Sequence, residues 1–376
     1  MAGKKKRKVR AEFRKNRTAR ARRRDWTQQL PDDGSEEEAG ASQERISGKG
    51  ELTRKRTIVT TATDDDAPED GLAVDEADCL QGRVLSVRGL VSDVETTPGQ
   101  HYQCVTRRLL RTLATEQRHV VAAGDRVTFR PTSETEGMIL KIAPRYGTLS
   151  RMSRRRRQII VTNVDQILIV VSAAEPPLKP NLIDRFLVAA EQSEVRPIVC
   201  INKIDLIDPA LLQPLVGTYS QLGFTTLLTS AESGAGMPRL RQLVQNKATA
   251  VAGQSGVGKS SLLNVLQPGL GRRVASVSSD TQKGRHTTTT AQLCKLDCGG
   301  YIVDTPGMRQ FELWDVIPEE LAGFFPDLRP FVATCRYPDC THTHEEDCAV
   351  KDAVADDLID ARRYDSYCRM LAGEAT

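Results

Sequence analysis

Residues Gly253-Gln254-Ser255-Gly256-Val257-Gly258-Lys259-Ser260 spell GxxxxGK[ST], and no other run constrains the fold so tightly. Such a loop cradles phosphate when an apolar strand feeds it and a helix leaves it. Both flanks are present: Thr249 to Ala252 reads as a strand, and Ser260 to Leu266 as an amphipathic helix. The three glycines let the backbone curl so that its N–H groups converge on phosphate oxygens. Strand-like and helical patterns alternate around the loop. Gln166 to Ser172 is a continuous apolar run, as expected of a strand buried on both faces. Asn181 to Ser193 reads as helix, Pro197 to Ile201 as strand, Ala210 to Leu222 as helix and Thr225 to Thr229 as strand. Met237 to Gln245 reads as helix and Gly300 to Asp304 as strand. This alternation predicts a doubly wound parallel sheet.

Three further elements give the loop its chemistry. Asn202-Lys203-Ile204-Asp205 precedes it at a strand end, Ser230-Ala231 lies between the two, and Asp304-Thr305-Pro306-Gly307 follows at another strand end. The Asp205 carboxylate can accept from both N1–H and the 2-amino group of guanine. Adenine has no matching pair of donors, so it is strongly disfavoured. Asn202 is expected to meet the base edge or to buttress the phosphate loop. The Lys203 stem is expected to cover the ring face, and Ala231 to offer its backbone to guanine O6. Lys259 is expected to bridge the β- and γ-phosphates, and Ser260 and Asp304 to serve Mg²⁺. Ser261 continues the phosphate loop into its helix, and the Gly307 N–H is placed to sense the γ-phosphate. In an ordinary GTPase the phosphate loop comes first and NKxD near the end. Here the parts stand in a rotated order, which resembles a circularly permuted GTPase.

Water activation needs a group other than the usual one. Many small GTPases place Gln just after DxxG to orient the attacking water. That position is Met308 here. His286, within Gly284-Arg285-His286-Thr287-Thr288-Thr289-Thr290, is the candidate, because a neutral imidazole near its ordinary pKa can position water. One of Thr287 to Thr290 is expected to reach Mg²⁺.

The other segments are read by composition and spacing. Lys and Arg dominate residues 4–24, and acidic runs follow at Asp32-Asp33, Glu36 to Glu38 and Asp64 to Asp66. Few apolar residues interrupt them, so 1–78 is expected to be a disordered charged tail that grips polyanions. Short β-prone runs between Leu80 and Ala143 predict a small OB-like barrel over 79–150. Arg107, Arg108, Arg111, Arg118, Arg126 and Arg130 make it basic, with Tyr102, Phe129 and Tyr146 as candidate stacking aromatics. The nucleotide-binding domain is expected over 151–313. Cys335, Cys340, His342 and Cys348 supply three thiolates and one imidazole, which suits a closed structural Zn²⁺ site in a domain over 314–376. His344 competes for the imidazole position. Cys294 and Cys298 read as packing residues. Nine cysteines are too few and scattered for a disulfide scaffold, which points to a reducing cytoplasm. No run approaches a membrane span.

The order of barrel, NKxD, GxSGVGKSS, GRHTTT, DTPG and CxxxxCxHxxxxxC resembles the RsgA/YjeQ family over about residues 80–370. The resemblance implies an OB fold, a permuted GTPase domain and a helical zinc domain in one cytoplasmic monomer. It implies binding to the small (30S) ribosomal subunit and 16S rRNA, with GTP hydrolysis stimulated by that particle during late maturation. It also implies a hydrolytic role for His286. The competing expectation is a zinc-dependent RNA-binding module whose domain senses GTP and hardly turns it over.

Overall fold

The structure, a computed structural model, describes residues 6–12, 55–61, 78–97, 99–107, 120–153, 156–271, 291–304 and 318–374. The chain divides into two units, Met1–Asp75 and Glu76–Thr376. In the first, β1 (Lys6–Glu12) and β2 (Lys55–Thr61) pair antiparallel. Both strands fall within 1–78, where a tail without regular structure is expected, so the pairing departs from that expectation; the rest of that unit lies outside the described residues.

The second unit begins with a five-stranded barrel. Its strands are β3 (Leu80–Arg88), β4 (Val91–Thr96), β5 (His101–Thr106), β6 (Arg126–Pro131) and β7 (Glu136–Ile142). They pair in the order β3-β4-β5-β7-β6, and β6 returns to β3, so the sheet closes. The β5–β7 pair is parallel and the other pairs are antiparallel. Period-two alternation turns Val84, Val94, Tyr102, Cys104, Phe129 and Ile139 into one core. Gly137 leaves room for it: a Cβ there would stand 2.7 Å from Phe129 Cδ2. Tyr102 and Phe129 are therefore core residues with ring centroids 5.1 Å apart, not stacking platforms. Of the three candidate aromatics only Tyr146 is exposed, with the Arg126 guanidinium 5.7 Å from its ring centre.

The basic run Arg151 to Arg157 falls in a hairpin that patterning did not reveal, β8 (Leu149–Ser153) and β9 (Arg156–Val161). Beyond it, β10 (Gln166–Ser172), β11 (Arg196–Asn202), β12 (Thr225–Leu228), β13 (Ala248–Ala252), β14 (Gln292–Lys295) and β15 (Tyr301–Asp304) form the nucleotide-domain sheet. Their order is β12-β11-β10-β13-β15-β14. Five strands are parallel, and β14 runs antiparallel to β15, an addition to the expected doubly wound parallel sheet. Strand β10 is buried throughout, which is why its sequence is apolar without alternation. Ile167, Ile169 and Val171 face one layer with α1 (Pro180–Gln192) and α2 (Gln213–Gln221). Leu168 and Val170 face the other, with α3 (Met237–Val244) and α4 (Lys259–Leu266).

Strand β14 also joins the barrel, through the pair Gln292 and Ser86. Beside this join the buried Glu95 carboxylate accepts from Lys295 Nζ at 2.6 Å and Tyr301 Oη at 2.7 Å. Burial alone would raise the Glu95 pKa, but those two hydrogen bonds together with the nearby charges of Lys295 and His101 hold the carboxyl below its ordinary range. Arg83 crosses the same seam, stacking 4.8 Å over the Tyr301 ring and donating to Asn163 O at 2.7 Å.

The C-terminal region carries α5 (Arg329–Val332), α6 (Ala349–Ala355) and α7 (Ala361–Leu371) around Phe325, Leu328, Val350 and Tyr367. Val188 of α1 completes that core. Arg363 of α7 reaches Asp184 of α1 at 2.6 Å and Asp327 at 2.8 Å. The region is thereby docked on the nucleotide domain.

Candidate nucleotide and metal sites

The carboxyl ends of β10, β11 and β13 bring the motifs together, as expected at the edge of a doubly wound sheet. Asn202, the last residue of β11, is buried between the two nucleotide elements. Its Nδ2 donates to Val257 O in the phosphate loop at 2.9 Å, and its Oδ1 accepts from Thr229 Oγ1 at 3.3 Å. Of its two expected roles, the geometry supplies the buttress. Thr229, which sequence reasoning passed over, holds the amide in that orientation. Its only sequence signal is its place directly before Ser230-Ala231.

The phosphate loop needs its glycines for two distinct reasons. Gly253 has φ 140°, and a Cβ there would meet Val170 O at 2.1 Å. Gly258 has φ 91°, and a Cβ there would meet Asn202 Nδ2 at 2.4 Å. Among the described residues no acceptor meets the backbone N–H groups of Ser255, Gly256, Val257 or Gly258. Donors so arranged at a helix start form an anion cradle. Lys259 Nζ lies over the loop and donates to Gly253 O at 2.7 Å and to Gln254 O. Ser260 and Ser261 are exposed on the first turn of α4.

Lys203 adopts a left-handed backbone, φ 63°, and its ammonium donates to Glu175 O. Ile204 packs on the sheet core and donates to Thr229 O at 3.2 Å. Asp205 stands exposed in the short 3₁₀ turn that follows. Ser230 is buried, and its Oγ accepts from Glu232 N and Ser233 N, which folds the turn carrying the half-buried Ala231. Asp304 ends β15, next to the strand that feeds the phosphate loop. His286, Thr287 to Thr290, Gly307 and Met308 lie outside the described residues.

Cys335, Cys340, His342 and Cys348 converge, with one ligand atom from each within 4.8 Å of the others. Cys335 Sγ lies 3.9 Å from Cys348 Sγ, and the two sulfurs are 3.4 and 3.5 Å from His342 Nδ1. A tetrahedron with Zn–S of about 2.3 Å has S–S edges of roughly 3.8 Å, so the donor set fits one zinc ion. His342 is buried while His344 is 81% exposed, which resolves the competition between them. Burial, with help from the neighbouring thiols, pushes Cys340 up to about 12. Burial lowers the His342 pKa, which favours the neutral imidazole. Two tyrosines brace the loop: Tyr364 Oη donates to His342 O at 2.7 Å, and Tyr367 Oη to Thr341 O at 2.8 Å. Glu345 accepts from Thr341 Oγ1 and from the Thr341 and Thr343 N–H groups. Cys294 is buried in the β14 core and Cys298 packs at its rim, as expected of packing residues.

Comparison with known proteins agrees with this geometry. The RsgA GTPase family matches residues 142–314. A small ribosomal subunit biogenesis GTPase RsgA of Chlorobaculum parvum is 38% identical over 304 residues, covering 78% of this chain and 97% of that relative. The protein of the same description from Thermotoga petrophila is 41% identical over 284 residues, covering 75% and 91%. Among solved structures, YjeQ from Thermotoga maritima superposes with a TM-score of 0.66 at 36% identity, covering 78% of this chain and 98% of that one. YloQ, described as a circularly permuted GTPase, gives 0.63 at 30% identity, covering 80% and 96%. The rotated motif order, the strand order and these likenesses agree, and the chain belongs to the RsgA family of circularly permuted GTPases.

Proposed function

We propose that this chain hydrolyses GTP to GDP and phosphate on the small ribosomal subunit, late in its maturation, in the cytoplasm. The observation that carries the reading is the Asn202 amide joining Thr229 to Val257 O. It docks the guanine element against the phosphate loop in a chain whose motifs are rotated. The described purpose of the relatives supplies the particle.

In this reading the Asp205 carboxylate accepts from guanine and the Ala231 N–H donates to its O6. The N–H groups from Ser255 to Gly258 receive phosphate oxygens. Lys259 exchanges its carbonyl partners for the β- and γ-phosphates. Ser260 and Asp304 would hold Mg²⁺, which supplies charge neutralisation at the phosphates. His286 orients the attacking water, since Met308 offers no polar group, and the Gly307 N–H senses the γ-phosphate. Cys335, Cys340, His342 and Cys348 would hold one structural Zn²⁺, which contributes folding energy and no reaction step.

The barrel's ring order, with its single parallel pair, supports an OB-type RNA surface. Arg88, Arg107, Arg126 and Arg130 are exposed on it. Contact with 16S rRNA by these residues, and action as a monomer, complete the proposal.

The test is GTP hydrolysis by the purified chain, alone and with 30S subunits, with ATP as control. Strong stimulation by 30S of GTP turnover alone is expected, and His286→Ala is expected to remove most of it. Turnover that ignores 30S would move the partner elsewhere. Negligible turnover with 30S present would leave a GTP-sensing module instead.

A further inference from the structure

The turn that follows β10 touches both halves of the nucleotide site, and no motif includes it. Ser172, the last residue of β10, is buried and pairs in register with Asn202. Its Oγ donates to Glu175 O at 2.7 Å. The same carbonyl accepts from Lys203 Nζ. A carbonyl oxygen has two lone pairs, and here a hydroxyl and an ammonium use both. On the other side, Pro176 Cδ lies 3.8 Å from the Cβ position of Gly256 in the phosphate loop. The Lys203 Cε lies 3.9 Å from the Cβ position of Gly258. The lysine stem therefore runs along the loop's last glycine with its head tied to the turn.

We propose that Ser172 is a positioning residue for guanine binding: its hydroxyl fixes the Glu175 carbonyl, which anchors Lys203 so that the stem is a preformed wall for the base. The inference rests on the guanine-site reading above. A lysine is costly to immobilise, because its long stem samples many rotamers in water. A left-handed backbone at Lys203 starts the side chain in an unusual direction, and the Glu175 carbonyl completes its placement. Ordering the side chain before the base arrives removes that cost from the binding step. Ser172 touches neither base nor phosphate in this scheme and acts through Lys203.

The test is equilibrium binding of fluorescent (mant-labelled) GDP to the full chain, with mant-ADP as control, plus steady-state GTP turnover. Ser172→Ala is expected to weaken mant-GDP by about three- to tenfold, the cost of freezing one rotamer-rich side chain. KM is expected to rise with it, while kcat at saturating GTP stays within about twofold, because the hydrolytic groups are untouched. Ser172→Thr, which retains the hydroxyl, should restore affinity. Lys203→Met removes the ammonium and keeps the stem. In that background Ser172→Ala should add almost nothing, since both changes break one chain of contacts. Wild-type affinity in Ser172→Ala, or full additivity of the two changes, would overturn the inference. Wild-type protein that fails to prefer mant-GDP over mant-ADP would overturn the guanine-site reading itself.

Discussion

Gly258 shows how tightly single residues are held at the nucleotide site. Its φ of 91° and the 2.4 Å approach to Asn202 Nδ2 leave no space for a side chain. Gly258→Ala should lower GDP affinity by about tenfold or more, since a left-handed non-glycine costs ~1–2 kcal/mol before the clash is counted. Isothermal titration would check this, with the melting temperature as a folding control. Asp360 makes a different residue-scale case. It caps α7 by accepting from Arg362 N at 2.9 Å, and it accepts from Thr218 Oγ1 on α2 at 3.0 Å. The hydrogen bond from the Arg362 side chain, more than any other cause, lowers its carboxyl to about 2. A depressed carboxyl stabilises the fold above its unfolded value, near 3.8, and the contribution fades as pH falls toward about 2. Asp360→Ala should cost ~1 kcal/mol at neutral pH, and the gap to wild type should close across that acid window. Urea titrations at pH 7 and near pH 2.5 would measure the full gap and its partial closure.

At the scale of elements, the docking of α7 on α1 depends on one guanidinium between two carboxylates. Arg363 and Asp184 are almost fully buried, and Tyr219 Oη adds a 2.9 Å donor to Asp184. Burial pushes the Asp184 carboxyl up, while Arg363 and Tyr219 pull against it. Asp184 Oδ2 has no hydrogen-bond partner among the described residues. A buried charge stripped of its partner is expensive, so Arg363→Met should destabilise by ~3–5 kcal/mol. Chemical denaturation should then show the C-terminal helices leaving before the central sheet. Replacing Arg363, Asp184 and Asp327 together by apolar residues of similar volume should cost much less, because no charge is left unpaired. Helix α1 carries this contact at its middle and follows the turn that anchors Lys203.

Over the second unit as a whole, barrel, sheet and C-terminal region are joined by different means. The barrel meets the sheet through β14 and the Glu95 cluster, and the C-terminal region meets it through α1. The C-terminal core is small, and in the proposed reading a zinc ion held by Cys335, Cys340, His342 and Cys348 adds to its stability. Removing zinc with a strong chelator should expose amides of α6 and α7 to exchange, while mant-GDP binding by the central domain persists. Hydrogen exchange read by mass spectrometry would separate those outcomes. Local signals were sufficient for the phosphate loop, the NKID element and the βα alternation, because each is a contiguous run whose backbone demands particular residues. Motif order alone disclosed the permutation, and the strand order β12-β11-β10-β13-β15-β14 follows from it. Other features depend on contacts between distant positions. Arg363 and Asp184 are 179 residues apart, and Lys295 and Glu95 are 200 apart, so neither pairing leaves a local pattern. The inward turn of Tyr102 and Phe129, and the choice of His342 over His344, were likewise decided by packing. The sequence by itself determined which groups stand together at short spacing, the phosphate-loop glycines and lysine, the NKID element and the Cys/His cluster, since each is a short local run of particular side chains. Only the tertiary structure decided which side chains face inward and which domains hold one another, since burial and long-range pairing exist only once the chain has closed on itself.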